Sequence, residues 1–139
     1  MLRFYDRQGK IIIPSDGIAV RVDGDGFSYA FDMELIEEWS KLMEDSDNRV
    51  IFQWSTWTGV FVSTIWLGID YNFNRRDERP LIFETMAFAP LKEGQYFATP
   101  LYQKRYHTEQ EAKEGHIKAY IWFTLTHIFK EFNEQVKNL

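Results

Sequence analysis

The fold is decided by residues 49–90. In order they read RVIFQWSTW (Arg49–Trp57), a Thr58-Gly59 step, VFVSTIWLGID (Val60–Asp70), an arginine-rich connection, and PLIFETMAFAP (Pro80–Pro90). Each apolar run is short, rich in β-branched and aromatic residues, and bounded by turn formers, which is the signature of a strand. Together they predict a three-stranded antiparallel meander that supplies most of the core. A two-residue loop at Thr58-Gly59 would pair Trp57 with Val60, Ser55 with Val62, Gln53 with Thr64 and Ile51 with Trp66. The other face would then carry Phe52, Trp54, Phe61, Ser63, Ile65 and Leu67, and being more apolar it is expected to meet the core. The first face has a polar middle framed by Trp57 and Trp66. That describes a shallow ligand site on a sheet, and equally a partly wet outer face, which is the plainer account.

The third strand, Leu81 to Ala89, puts Leu81, Phe83, Thr85 and Ala87 on one side and Ile82, Glu84, Met86 and Phe88 on the other. Glu84 is thus a carboxylate set among apolar neighbours, and it needs a cation or a raised pKa. Arg75, Arg76, Arg79 and Arg105 are the available partners. The connection Asp70–Pro80 is too polar for a strand. Pro100 to His107 suggests a last one.

Upstream, Leu2–Tyr5 and Lys10–Ile13 flank an Asp6-Arg7-Gln8-Gly9 turn and predict an N-terminal hairpin. Ile18–Val22 and Phe27–Phe31 flank Asp23-Gly24-Asp25-Gly26 and predict a second. The aspartates there resemble part of a calcium loop, but the further oxygen ligands and closing glutamate are missing, so a turn is preferred. Asp32 is a suitable N-cap for a helix with Leu35, Ile36, Trp39, Leu42 and Met43 on one stripe and an acidic opposite face. Asp45-Ser46-Asp47-Asn48 should stop it. Downstream, Thr108-Glu109-Gln110-Glu111 is a capping box opening a helix to about Lys137, on the order of 40 Å long. Its middle (Ile117, Ala119, Tyr120, Ile121, Trp122, Phe123, Leu125, Ile128, Phe129, Phe132) is apolar nearly all the way round. One sheet covers one stripe, so the surplus needs the first helix or a second chain, and a homo-oligomer through this helix is expected. The fold class is therefore α+β in a single domain: N-terminal hairpins in 1–31, a helix in 32–47, a meander sheet in 49–107, and a helix in 108–137 packed on that sheet.

Composition bounds the function. A chain of 139 residues is long enough to bury about two-thirds of its unfolded surface. A net charge of −5 argues against a broad basic face for non-specific nucleic acid. With no cysteine there is neither a disulfide framework nor a thiolate metal site, and a reducing compartment is the default. MLRFYDRQGK lacks the apolar core of a signal peptide, and no run is apolar for about eighteen residues, so no membrane association is expected. Aromatic residues make up 17%, enough to supply stacking platforms as well as core.

The titratable candidates are Asp70, Glu84, His107, His116 and His127. They form no spaced metal motif, and no nucleophile elbow or phosphate loop is present, so no metal or cofactor is expected. His116 shares a helical stripe with Ala112, Ala119, Tyr120 and Phe123, which suits a hydrogen-bonded histidine at the core edge. A Glu84–His116 or Asp70–His116 pair would make an acid–base dyad, and so a small hydrolase, if the helix crosses the sheet there.

VSTIWLGIDYNF (Val62–Phe73), PLIFETMAF (Pro80–Phe88) and YHTEQEAKEGH (Tyr106–His116) resemble a family of small uncharacterised proteins encoded by bacteriophages and their bacterial hosts, with the pattern VSTxWLGLDHxF, PLIFETMVF and YxTxEEAxxGH. The likeness spans Val62 to His116, a little over a third of the chain. Tyr71 stands where that family has histidine, which removes an Asp-His pair. No family residue role transfers. The resemblance implies a phage or prophage accessory protein in the cytoplasm of an infected or lysogenic cell, and such proteins often counter host defence. The expectation is a non-enzymatic binding protein, a sponge for a cyclic-oligonucleotide or ADP-ribose-type immune signal. Trp57, Trp66 and Tyr71 would stack on the base, Arg75, Arg76 and Arg105 would hold phosphate, and Asp70 or Glu84 would meet ribose hydroxyls, with His116 nearby. The alternative is an inhibitor of a host protein, docking through the acidic Glu34–Asp47 helix or the apolar C-terminal one.

Overall fold

Four strands pair in chain order into one antiparallel sheet: β5 (Val50–Ser55), β6 (Phe61–Trp66), β7 (Phe83–Phe88) and β8 (Pro100–Tyr106). The computed structural model describes residues 3–13, 18–23, 26–31, 33–73 and 79–139, with 13, 18–23, 26–31, 33 and 35 as backbone only. Asp32, the Gly24-Asp25 turn, Arg75 and Arg76 lie outside the described residues. Two hairpins precede the sheet, β1 (Phe4–Tyr5) with β2 (Ile11–Ile13) and β3 (Ile18–Asp23) with β4 (Gly26–Phe31), each a separate two-stranded sheet. The long helix α3 (Glu109–Lys137) lies across all four strands of the large sheet. The fold is α+β.

The β5–β6 register differs from the expected one by a residue. Ser55 pairs with Phe61, Trp54 with Val62, Gln53 with Ser63 and Phe52 with Thr64. The loop has three residues, Trp57, Thr58 and Gly59, inside the pair Thr56–Val60. The Gly59 N–H donates to the Thr56 carbonyl at 3.0 Å, the Thr56 N–H to Val60 at 2.8 Å, and Gly59 takes φ 87°. A two-residue hairpin turn of the I′ type demands positive φ at both central residues, which the β-branched Thr58 resists. A tight turn followed by a left-handed glycine puts the strain on Gly59 alone. The slip flips β6 relative to β5. Phe52 and Trp54 do turn toward the helix, but Val62, Thr64 and Trp66 turn with them, while Phe61, Ser63 and Ile65 look outward. The indole-framed polar face expected from the two-residue loop does not form.

The buried side chains follow this correction. One cluster gathers Tyr5, Trp66, Ile82, Phe83, Tyr106 and Ala112, with Trp39, Leu42, Met43 and Ile51 packed on it. A second joins Val62, Ala87 and Ala119, flanked by Val60, Tyr102, Tyr120 and Phe123. The helix α1 (Met33–Glu44) docks through Trp39, whose indole N–H donates to the Gly68 carbonyl at 3.1 Å. It ends earlier than expected. Asp45 caps a separate turn, α2 (Ser46–Arg49), by accepting from the N–H groups of Asp47 and Asn48.

The N-terminus of α3 is built as its sequence suggests. Thr108 Oγ1 accepts from the Glu111 N–H, and Glu111 Oε2 accepts from the His107 N–H, satisfying donors the helix cannot. Arg7 then ties the first hairpin to this end. Its Nε and one terminal nitrogen each reach Glu109 at 2.8 Å, and the other donates to the Asn48 carbonyl at 3.1 Å. These bonds hold the Glu109 carboxyl down to about 2, against the opposing effect of burial. At Gly115 the helix backbone sits directly on the Tyr106 ring, an approach that only a residue without Cβ permits.

Candidate functional site

Alternation along β7 sends Thr85 and Glu84 to opposite faces of the sheet, and two polar groupings follow from that split. On the helix side, Thr85 and Thr64 hydroxyls are 2.6 Å apart, and Thr64 is 2.8 Å from His116 Nδ1. All three residues have no exposed surface. Phe52 and Trp54 close over the imidazole, the Trp54 ring perpendicular to it at 4.5 Å. Burial pushes His116 down to about 4, because the charged ring would lose its water with no anion in exchange. His116 is therefore a neutral core group, as its helical stripe indicated.

On the outer face Glu84, which is 7% exposed, accepts from Gln103 Nε2 at 2.6 Å and from Arg105 Nε at 2.8 Å, both through the same carboxylate oxygen. The β7–β8 register sets this up by placing Arg105 opposite Glu84 and Gln103 opposite Met86. Tyr71 lies on the Arg105 guanidinium, with 4.3 Å from Cζ to the ring centroid. Among the described residues only Nε of Arg105 is bonded, leaving its two terminal nitrogens without an acceptor. Arg105 is thus a cation held flat, with its two terminal nitrogens unused among the described residues.

The other candidates sit apart. Asp70 accepts from the Asn72 and Leu81 N–H groups and closes the base of the 70–81 connection, which makes it a backbone anchor. Trp66 is fully buried in the first core cluster and has no surface for a ligand. Trp57 is 61% exposed at the hairpin tip, against His127 at 4.7 Å. Asp70, Tyr71, Glu84 and Arg105 share one neighbourhood, which Trp57, Trp66 and His116 do not join. Glu84 and His116 face opposite sides of the sheet, so no dyad is assembled. His107 Nδ1–H donates to the Pro80 carbonyl at 3.0 Å.

On the helix face, a cleft of about 320 Å³ between β8 and the first turns of α3 is lined by Lys104, Arg105, Tyr106, His107, Glu111, Glu114, Gly115 and Lys118, while the Arg105 guanidinium itself lies on the outer face with Glu84 and Tyr71. Buried Tyr106 and Gly115 form the base of the cleft. That volume is at the lower end for small-molecule sites. The sequence named Arg105 but missed the cleft. Gln103 was within reach of a period-two argument, since it precedes Arg105 by two positions on one strand face. Lys104 and Lys118 gave no such sign, because nothing local says that β8 and α3 diverge there.

No family model, no curated protein and no solved structure matches this chain. Among the described residues no group of three histidine or acidic side chains converges as a metal site, and no helix is long and apolar enough to cross a membrane.

Proposed function

We propose that the protein is a non-enzymatic binding protein for a small phosphate-bearing ligand of nucleotide type, taken on the outer face of the sheet at Arg105 and Tyr71. The observation that carries this is Arg105: its Nε is fixed by a buried carboxylate, its plane rests on Tyr71, and its terminal nitrogens meet no acceptor among the described residues. A guanidinium already immobilised loses little further entropy on binding, and its fork matches two phosphate oxygens. In the phage setting implied by the sequence resemblance, such a protein would act as a counter-defence sponge that sequesters a cyclic-oligonucleotide or ADP-ribose-type signal.

Thermal denaturation of the whole chain against pyrophosphate, ADP-ribose and cyclic dinucleotides tests this. At a ligand concentration 100-fold above Kd, binding adds about 2.7 kcal/mol. Arg105→Lys keeps the charge but loses the fork, and should weaken binding about tenfold. Lys118→Gln, on the helix face, should leave binding unchanged. Ligand recovered by heating the complex should be chemically intact. Absence of a shift with every compound, or a shift insensitive to Arg105→Lys, would rule the proposal out.

A further inference from the structure

The helix α3 changes which of its faces is apolar. Over its first three turns the stripe facing the sheet is apolar or small (Ala112, Gly115, Ala119, Tyr120, Phe123), and the opposite stripe carries Glu111, Glu114 and Lys118. From about residue 121 the pattern reverses. The stripe continuing the sheet-facing line becomes Thr126, Lys130, Asn133, Glu134 and Lys137, past the sheet's end at the Trp57–His127 contact. The far side becomes Ile121, Trp122, Leu125, Ile128, Phe129, Phe132 and Val136, each between 44% and 64% exposed. A helix that merely overhung would be polar all round here.

Ile121, Leu125, Ile128 and Phe132 recur at alternating steps of four and three, the spacing of a helix–helix seam, widened along one edge by Trp122, Phe129 and Val136. Together these seven side chains expose on the order of 700 Å², against the ~800 Å² per partner of a standard interface. A second copy presents the same stripe with the same area, so a symmetric pair would bury both at once and reach about the size of a standard interface. We infer that residues 121–136 of α3 pair with the same segment of a second copy of this chain.

The chain has no cysteine, so a single introduced one reports the contact. Light scattering of the full chain should give twice the mass of one chain. Ile128→Cys, on the seam and near the midpoint of the segment, should oxidise to a same-residue disulfide dimer, because copies running in either direction bring that position to its own counterpart. Leu125→Glu, on the exposed seam, should return a single-chain mass with helix content unchanged. A single-chain mass for the unmodified protein, with or without a host protein bound to it, overturns the proposal. So does an absence of cross-linking at Ile128→Cys, or a doubled mass that survives Leu125→Glu.

Discussion

Replacing Gly115 with alanine should, on intrinsic helix propensity alone, stabilise the protein by about 1 kcal/mol. The packing reverses that sign. An alanine Cβ would stand 2.6 Å from Tyr106 Cε1 and closer still to Cζ and the hydroxyl, a set of ring atoms rather than a flexible chain end. Tyr106 is 7% exposed and paired with Phe83 in the sheet, so the ring can retreat only by moving β8 or lifting α3. Overpacking of this kind costs about 3 kcal/mol, which leaves a net loss of about 2 kcal/mol. At roughly 4 °C per kcal/mol for a domain of this size, Tm should fall by about 8 °C. Urea and thermal unfolding followed by circular dichroism would measure it. In a Tyr106→Leu background the added methyl should become neutral or mildly stabilising, and the difference between backgrounds isolates the contact. A Gly115→Ala variant that melts higher than the parent would mean α3 does not lie on β8 as described.

Two further expectations concern acid. His116 is held down to about 4 from an ordinary 6.5, so its contribution is complete above pH 6.5 and disappears as pH falls toward 4. Its size is on the order of 3 kcal/mol, and His116→Phe should flatten urea-unfolding stability over that interval. Glu109, held down to about 2 from 4.5, contributes above pH 4.5, and that contribution is lost as pH falls through about 2. Because Arg7 and Glu109 are each about a quarter exposed, the screened contribution is about 1–2 kcal/mol. Glu109→Gln should lose it at neutral pH and show a shallower acid limb in the same titration.

Much of the architecture was legible because it rests on local periodicity. The hairpins, the strand runs and the Thr108 cap each need only a few neighbouring residues to declare themselves. Register was not legible in the same way. It depended on whether Thr58 would accept a left-handed backbone, and the Asn-Gly preference of two-residue loops already argued that it would not. That one step mis-sided Trp66, one of the three expected stacking residues. The site was partly readable. Glu84 announced its need for a cation, but the choice of Arg105 was made by pairing across the 89–99 loop, a long-range fact. His116 was placed correctly by its helical stripe, although its partner Thr64 and that residue's own partner Thr85 come from two different strands.

The hydroxyl–hydroxyl–imidazole relay inside the sheet–helix interface has a consequence for uniqueness. A purely aliphatic interior is tolerant of sliding, since one greasy contact is much like the next. Thr64, Thr85 and His116 meet in a single alignment of two strands and one helix, and any displacement strands at least one polar group in a dry environment, at about 1–3 kcal/mol for each. The relay therefore acts as a key, whose worth lies less in holding the chain folded than in making every near-miss arrangement expensive.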